Sequence, residues 1–158
     1  EQCFHRKLKK QQNINYITGD LESPIADLHF DLHKIPLEDN TFDVIFCNHV
    51  LEHVENDHQC MNELYRVMKK GGWGIFQVPI DNTRNNTYED PSITSEKERE
   101  KHFWQKDHLR LYGLDYPERL ISVGFKVTTY NYKQHIENAQ QKRLRLLSDE
   151  VLYIFHKE

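Results

Sequence analysis

The sequence predicts a three-layer α/β domain whose sheet is mostly parallel. Residues 42–47 (FDVIFC) and 73–79 are nearly continuous apolar runs, which is typical of strands buried on both faces. A helical pattern lies between them, with apolar residues at positions i, i+3, i+4 and i+7: Met61, Leu64, Tyr65 and Met68. Strands that alternate with helices favour a parallel sheet covered by helices. The 158 residues are enough for one domain, which we expect to span residues 1–158.

The elements before the first long strand are short. Residues 2–11 have an amphipathic helical pattern, and residues 15–18 and 27–32 are two brief strand candidates. Polar residues across 36–40 predict a turn. These elements form the first part of the alternating pattern.

The helix in the middle of the chain has clear start and stop signals. Asn56 or Asp57 suits its N-terminal cap. Lys69 and Lys70 suit its negative C-terminal end, and Gly71 suits a left-handed cap. The helix is therefore predicted to continue to about these residues, immediately before the next strand.

The C-terminal half begins with a long polar stretch. Residues 81–107 have no apolar period, so the sequence predicts a loop, and residues 81–116 as a whole resemble an inserted, lid-like segment. A helix is predicted from Asp115 through Val123. Strands at 125–132 and 151–156, with a helix near 138–147 between them, complete the pattern.

Composition narrows the range of functions. The net charge is −4, so no basic surface points to a nucleic-acid partner. No apolar run approaches the roughly 20 residues of a membrane span, so no membrane partner is predicted. The three cysteines are odd in number and form no C-x-x-C pair, which favours reduced thiols and a cytoplasmic location.

Three motifs resemble those of class I S-adenosylmethionine-dependent methyltransferases. Residues 42–54 (FDVIFCNHVLEHV) resemble the fourth strand and the following turn of that family. Residues 63–72 (ELYRVMKKGG) resemble its E-x-x-R-V-L-K-P-G-G motif, and residues 31–37 (DLHKIPL) resemble its D-A-x-x-L-P-F motif. The motifs have the family's order and close to its spacing, across about residues 14–80. The resemblance implies a Rossmann-like fold and a methyl transfer from S-adenosyl-L-methionine to a small-molecule acceptor.

One part of the family pattern is missing from the sequence. The glycine-rich loop that follows the family's first strand is not present, and neither is that central strand. We therefore expect the chain to be truncated at its N-terminus, with Glu1 as the tail of the first cofactor motif. Neighbouring strand edges would then lack partners, which favours either a homodimer formed through exposed sheet edges or a chain that is poorly stable alone.

The resemblance assigns cofactor roles to residues that follow the predicted strands. Asp20 is expected to receive the ribose hydroxyls, because one carboxylate can accept from two vicinal hydroxyls, although Glu22 is near enough to compete. Asp31 is expected to accept from the adenine amino group, and Leu32 to offer a backbone amide to the ring. The simpler alternatives are that Asp20 ends a strand and that Asp31 caps a turn.

The residues after the fourth-strand motif are expected near the reacting methyl. Asn48 and His49 should line the wall beside the methionine part of the cofactor. Backbone amides at the start of the first helix, near Gln2 and Cys3, could hold the cofactor carboxylate.

A second motif overlaps the same turn. His49-Val50-Leu51-Glu52-His53 matches H-x-x-E-H, in which two histidines on one helical face bind zinc and the glutamate acts as a base. A zinc hydrolase is therefore an alternative function. The motif follows a strand directly, whereas the zinc motif requires a helix, so no metal is predicted. Glu52 and His53 could also simply anchor the turn.

Candidate catalytic groups follow from the chemistry of methyl transfer. A base is needed only when the acceptor must lose a proton, and His53, His108 and Tyr112 are the candidates. His108, Arg110 and Tyr112 alternate with leucines, so an extended segment would place them on one face, where Arg110 and Trp104 could bind substrate. A solvated surface strand, with Trp104 in the core, is the alternative.

Two further functions remain open from the sequence. The chain could be a methyltransferase-like binding module without catalysis. It could also be a nicotinamide-dependent enzyme on the same type of sheet, because both classes use a glycine-rich turn after the first strand.

Overall fold

The N-terminal region forms a helix and a small parallel sheet. The computed structural model describes residues 2–131, 135–146 and 151–158. Helix α1 spans Gln2–Leu8, and the short strands β1 (Gly19–Asp20) and β2 (Leu28–His29) pair in parallel. The sequence predicted the first strand at residues 15–18, whereas β1 begins one residue later, at Gly19. Thr18 is bonded instead through its backbone amide and hydroxyl to the Asp27 carboxylate.

A four-stranded sheet forms the centre of the domain. Its strands are β3 (Phe42–Phe46), β4 (Met68–Ile75), β7 (Lys126–Tyr130) and β8 (Leu152–His156), in the order β3-β4-β8-β7. Strands β3 and β4 are parallel, whereas β8 runs antiparallel to both of its neighbours. The predicted α/β class is confirmed, with a mixed sheet whose parallel pairs come first in the chain.

The helix between β3 and β4 starts where the sequence predicted and ends earlier. Helix α2 spans Asp57–Val67, and the Asn56 side chain accepts a hydrogen bond from the Gln59 amide at its N-terminus. Lys69, Lys70 and Gly71 do not end this helix, because they lie in β4. Gly71 has the predicted left-handed backbone, with a φ of 78°, but it lies within the strand, where its amide donates to the Lys157 carbonyl.

The end of α2 is held by a side chain from the far end of the sequence. The Lys157 ammonium donates to the Asn40 side chain at 3.0 Å and to the backbone carbonyls of Tyr65 at 2.8 Å and Arg66 at 3.3 Å. A lysine in this place satisfies helix carbonyls that have no partner within the helix.

Residues 81–107 are not the structureless loop that the sequence predicted. They contain β5 (Tyr88–Glu89) and helix α3 (Glu96–Phe103), and β5 pairs antiparallel with β6 (Arg110–Leu111). Helix α3 is polar on nearly every side, and Phe103 is its only buried residue, so no apolar period revealed it. Ser95 caps it by accepting from the Glu98 amide.

The predicted C-terminal elements are present with shorter bounds. Helix α4 spans Tyr116–Ser122 and helix α5 spans Asn138–Leu144. The ends predicted for the strand at 132 and the helix at 147 lie outside the described residues. Asp115 precedes α4 but does not cap it, because its carboxylate accepts from the Thr87 amide and hydroxyl.

The main core lies between the four-stranded sheet and helices α2 and α4. The rings of Phe76 and Phe155 stack with centroids 5.3 Å apart at its centre. Its other fully buried members include Leu51, Met61, Leu64, Met68, Tyr112, Tyr116, Leu120 and Phe125. Among the described residues, no helix has the length and apolar character needed to cross a membrane.

Candidate functional site

Asp20 ends β1 at the carboxyl edge of the small parallel sheet. Its Oδ1 accepts from the backbone amides of Glu22 at 2.9 Å and Ser23 at 2.8 Å. These hydrogen bonds lower the pKa of the Asp20 carboxyl, so the exposed side chain is a carboxylate at neutral pH. A charged acceptor at this edge has the chemistry needed to receive hydroxyl groups.

Asp31 follows β2 at the same edge, because β1 and β2 are parallel. Its Oδ1 accepts from the His33 amide at 2.9 Å and lies 2.6 Å from the His33 Nδ1, and both contacts lower the pKa of the Asp31 carboxyl. The other ring nitrogen of His33 accepts from the Asn56 amide at 3.1 Å. The loop of Asp31 and Leu32 is thereby joined to the residue that caps α2.

Asn48 and His49 follow β3 directly. The Asn48 side chain accepts from the Gln77 amide at 3.0 Å, and the His49 amide donates to the Gln77 carbonyl at 2.7 Å, so the ends of β3 and β4 are tied together. His49 has a φ of 55°, an uncommon value for a residue with a side chain. Its ring is 62% exposed.

The structure joins part of the predicted cofactor set. Asp20 and Asp31 lie at one sheet edge, and the His33–Asn56 hydrogen bond connects the Asp31 loop to the turn that begins at Asn48. Glu1, predicted as the tail of the first cofactor motif, lies outside the described residues.

Two of the predicted catalytic histidines are in contact. The rings of His53 and His108 are perpendicular, with centroids 4.7 Å apart. His108 is 1% exposed, and its Nδ1 lies 2.8 Å from the Phe103 carbonyl oxygen. The Nδ1 of His53 lies 3.3 Å from the Asp107 carboxylate. The only one of these rings open to solvent is that of His53, and only in part.

Arg110 is buried against the turn after β3. Its guanidinium donates to the carbonyls of Leu51 and Val54, both at 2.6 Å, and of Glu55 at 2.9 Å. The side chain is 2% exposed, so it stabilises the turn from within. No surface remains on Arg110 for the substrate contact that the sequence predicted.

Tyr112 is also buried and bonded to the same turn. Its hydroxyl donates to the Asp57 carboxylate at 2.8 Å and lies 3.1 Å from the Leu51 carbonyl. Burial, followed by the charge of Asp57, raises the pKa of Tyr112 far above its ordinary value. A phenol in this environment is a poor general base.

The segment that the sequence predicted as a lid is packed on the domain. His108, Arg110 and Tyr112 share one buried set of contacts with the turn after β3, whereas Trp104 is 52% exposed. Leu109 adds a backbone hydrogen bond to the Glu52 carbonyl. Of the predicted substrate-side residues in this segment, Trp104 is the one at the surface.

The buried ion pair between Asp57 and Arg119 was not predicted from the sequence. Arg119 binds Asp57 through two hydrogen bonds, of 3.0 and 2.8 Å. Burial alone would raise the pKa of Asp57, but the hydrogen bond from Arg119 and the charges of Arg110 and Arg119 outweigh it and lower the pKa. The only sequence signal was an acidic residue in the first turn of a helix, which is usually a surface feature.

The backbone argues against the zinc-peptidase interpretation of H-x-x-E-H. Residues 49–53 form a turn before α2, so His49 and His53 do not share a helical face. The exposed ring of His49 lies 3.3 Å from the buried Glu52 carboxylate, which gives the turn an internal contact.

The N-terminal half of the chain matches a known protein family. Residues 2–76 match the family described as a methyltransferase domain. This segment of the chain is similar to a methyltransferase domain. The matched segment contains Asp20, Asp31, Asn48 and the turn that follows, so the predicted cofactor residues all fall within it, apart from Glu1.

Two curated proteins are similar to about half of the chain. A sterol 4-C-methyltransferase of Caenorhabditis elegans is 33% identical over 79 residues, which are 50% of this chain and 21% of that protein. A ubiquinone/menaquinone biosynthesis C-methyltransferase of Idiomarina loihiensis is 30% identical over 80 residues, 49% of this chain and 28% of that protein. The chain thus spans less than a third of these curated relatives.

A solved structure supports the same fold. An S-adenosylmethionine-dependent methyltransferase from Mesorhizobium loti superposes with a TM-score of 0.54 at 14% identity, over 87% of this chain and 78% of that protein. At this identity the superposition shows the fold alone, and it confirms the predicted Rossmann-like architecture.

Proposed function

We propose that this domain binds S-adenosyl-L-methionine and transfers its methyl group to a small-molecule acceptor. The observation that carries the proposal is the match of residues 2–76 to the methyltransferase domain, together with carboxylates that follow β1 and β2 within that match. Both curated relatives carry the name of a C-methyltransferase, which favours a lipid-like acceptor such as a sterol or a quinone precursor.

Asp20, Asp31 and Leu32 would hold the nucleoside. Asp20 is charged and exposed, so it can accept hydrogen bonds from the ribose hydroxyls. Asp31 would accept from the adenine amino group and Leu32 would offer its backbone amide. Asn48 and His49, on the tied ends of β3 and β4, would line the wall beside the methionine part.

The bound cofactor supplies an activated methyl group on a sulfonium, so the protein has mainly to position the acceptor and exclude water. His53 is the candidate base, because its ring is partly exposed beside the turn. His108 would act on it through ring contact, and Trp104 is the exposed aromatic candidate for the acceptor. Arg110 and Tyr112 would support this wall from inside the fold.

Binding calorimetry with S-adenosyl-L-methionine tests the cofactor site. The unchanged chain is expected to bind, and Asp20→Ala and Asp31→Ala are expected to weaken binding about tenfold or more, because each removes a charged acceptor. Asp90→Ala is the matched control. Asp90 is exposed and accepts from the Ser92 amide and hydroxyl in its own loop, and it lies outside residues 2–76. Equal affinity in all three variants would contradict the proposed cofactor site.

A transfer assay separates catalysis from binding. S-adenosyl-L-methionine with a labelled methyl group is incubated with sterol and quinone-precursor acceptors, and His53→Gln is expected to slow the transfer without abolishing cofactor binding. Cofactor binding with no labelled product from any acceptor would favour the non-catalytic binding module.

The assembly and the location are part of the same proposal. Within the described residues β3 ends the four-stranded sheet, and Val44 and Phe46 on it are partly exposed, which supports a homodimer formed through this edge. Cys60 is buried and forms no disulfide, which supports a cytoplasmic location. A monodisperse monomer in light scattering would contradict the dimer.

A further inference from the structure

Three metal-ligating side chains meet beside the turn after β3. One ligand atom from each of Glu52, His53 and His108 lies within 4.8 Å of the other two. Glu52 and His108 are each 1% exposed, so the cluster is largely removed from water. Atoms bound tetrahedrally to one zinc ion at about 2.0–2.2 Å lie roughly 3.4 Å apart, so binding draws the three ligand atoms closer together than they lie in this structure.

Two atoms in this cluster are buried acceptors without a donor. Glu52 Oε2 and His108 Nε2 have no hydrogen-bond partner among the described residues. The His108 Nδ1 must carry a hydrogen, because it faces the Phe103 carbonyl oxygen, which can only accept. In the neutral ring, Nε2 then presents a lone pair. A buried polar atom left without a partner costs about 1–3 kcal/mol, and one cation would satisfy both atoms.

Neighbouring groups hold one side of each of the three side chains, as residues around a metal site hold its ligands. The Nδ1 of His108 is held by a backbone carbonyl, and the Nδ1 of His53 lies 3.3 Å from the Asp107 carboxylate. Glu52 Oε1 lies 3.3 Å from the His49 ring, so its other oxygen is the one left over. Histidine ligands usually have one ring nitrogen held in this way, which leaves the other nitrogen for the metal.

We propose that Glu52, His53 and His108 bind one divalent transition-metal ion, with Zn²⁺ as the occupant. Two imidazoles and one carboxylate form an established zinc ligand set, whereas Mg²⁺ and Ca²⁺ prefer oxygen ligands throughout. This site differs from the H-x-x-E-H interpretation. Glu52 is a ligand and not a base, His49 is an outer contact, and the third ligand comes from the segment after α3. The metal would fasten that segment to the turn after β3.

Metal titration of the tag-free, chelator-stripped chain tests the site. Zn²⁺ is added in competition with a chromophoric chelator, and Co²⁺ is added separately to read its visible absorption. One saturable site per chain is expected, with a rise in melting temperature on Zn²⁺ binding. Glu52→Gln and His108→Gln are expected to weaken binding about 100-fold or more, since removing a ligand costs at least as much as removing an outer contact.

Two further variants keep the test decisive even if a buried substitution disturbs folding. Asp107 is exposed, so Asp107→Asn should leave the far-ultraviolet circular dichroism unchanged while weakening Zn²⁺ binding about 10–100-fold. His102→Gln is the control, because the His102 ring contacts Glu98 at 3.6 Å and is not one of the three proposed ligands; the affinity for Zn²⁺ should not change. The proposal is overturned if the unchanged chain has no stoichiometric site, if Asp107→Asn binds normally, or if His102→Gln loses as much affinity as His108→Gln. None of these readouts requires S-adenosyl-L-methionine, so metal binding and cofactor binding are tested separately. The Nδ1 of His53 faces Asp107 and its other ring nitrogen would be the metal ligand, so the base role proposed for His53 applies only to the metal-free chain.

Discussion

The carboxylates at the proposed cofactor edge, Asp20 and Asp31, and the carboxylate at the start of α2, Asp57, are held by different kinds of contact. Asp20 and Asp31 are exposed, and they accept hydrogen bonds from residues two or three positions later in the chain. Asp57 is buried, and it is bonded to Tyr112 and Arg119, which are 55 and 62 positions away.

Asp20 and Asp31 are therefore accessible to a ligand, whereas Asp57 stabilises the fold. An exposed carboxylate fixed by its own loop remains available to a ligand, and its removal should disturb little else. A buried carboxylate bonded across the sequence joins α2 to the segment after α3 and to α4, so its removal should loosen all three.

The largest effect is expected from Asp57→Ala. The substitution leaves the guanidinium groups of Arg110 and Arg119 without their buried partner, which should lower the free energy of unfolding by about 3–5 kcal/mol. Urea denaturation measures this loss. Asp43→Ala is the control, since the Asp43–Lys69 pair is exposed and should contribute no more than about 1 kcal/mol. Similar losses in the two variants would remove the distinction between the regions.

Acid should weaken the buried ion pairs of Asp57 with Arg110 and Arg119, because protonation removes the charge of the Asp57 carboxylate. The pKa of Asp57 is lower in the folded state than the roughly 3.9 of an unfolded aspartate, so its contribution is complete above about pH 4 and is lost as the pH falls through the folded value. The stability difference between the unchanged chain and Asp57→Asn should therefore shrink below about pH 4. A series of urea titrations from neutral to acid pH measures it, and a constant difference would contradict the assignment.

The smallest effect on stability is expected from Asp20→Ala. The lost hydrogen bonds lie in an exposed loop, so the free energy of unfolding should fall by less than about 1 kcal/mol, although cofactor affinity falls. Thermal melting without cofactor provides the measurement. A loss as large as that of Asp57→Ala would mean that the cofactor edge also holds the fold.

Local pattern was sufficient to predict the central elements. The apolar run of residues 42–47 became β3, and the stripe containing Met61 and Leu64 became the buried face of α2, because burial on one or both faces leaves a periodic trace in the sequence. The three resemblance motifs lie in the segment that matches the methyltransferase domain, and the cofactor roles of Asp20 and Asp31 stay predictions.

The errors came from contacts that local pattern does not contain. Lys69 and Gly71 have the composition of a helix end, but they lie in β4, where the Gly71 amide donates to the carbonyl of Lys157. Helix α3 left one usable signal, the Ser95 cap with Glu98 three residues later, because a helix exposed on nearly all sides has no apolar stripe. The burial of His108 and Arg110 depends on a turn more than 50 positions earlier, and a polar alternation does not reveal it.

The hydrogen bonds from Lys157 to the end of α2 affect how the molecule would respond to force. Lys157 is bonded to the last carbonyls of the helix whose first turn carries Asp57, and its own backbone pairs with Gly71 and Gly72. A pulling force applied beyond Glu158 would therefore act first on the end of that helix and on β4, and not on the exposed loops that carry Asp20 and Asp31. Tethering the molecule from that side in a single-molecule experiment would strain α2 and β4 and leave the loops of Asp20 and Asp31 unloaded.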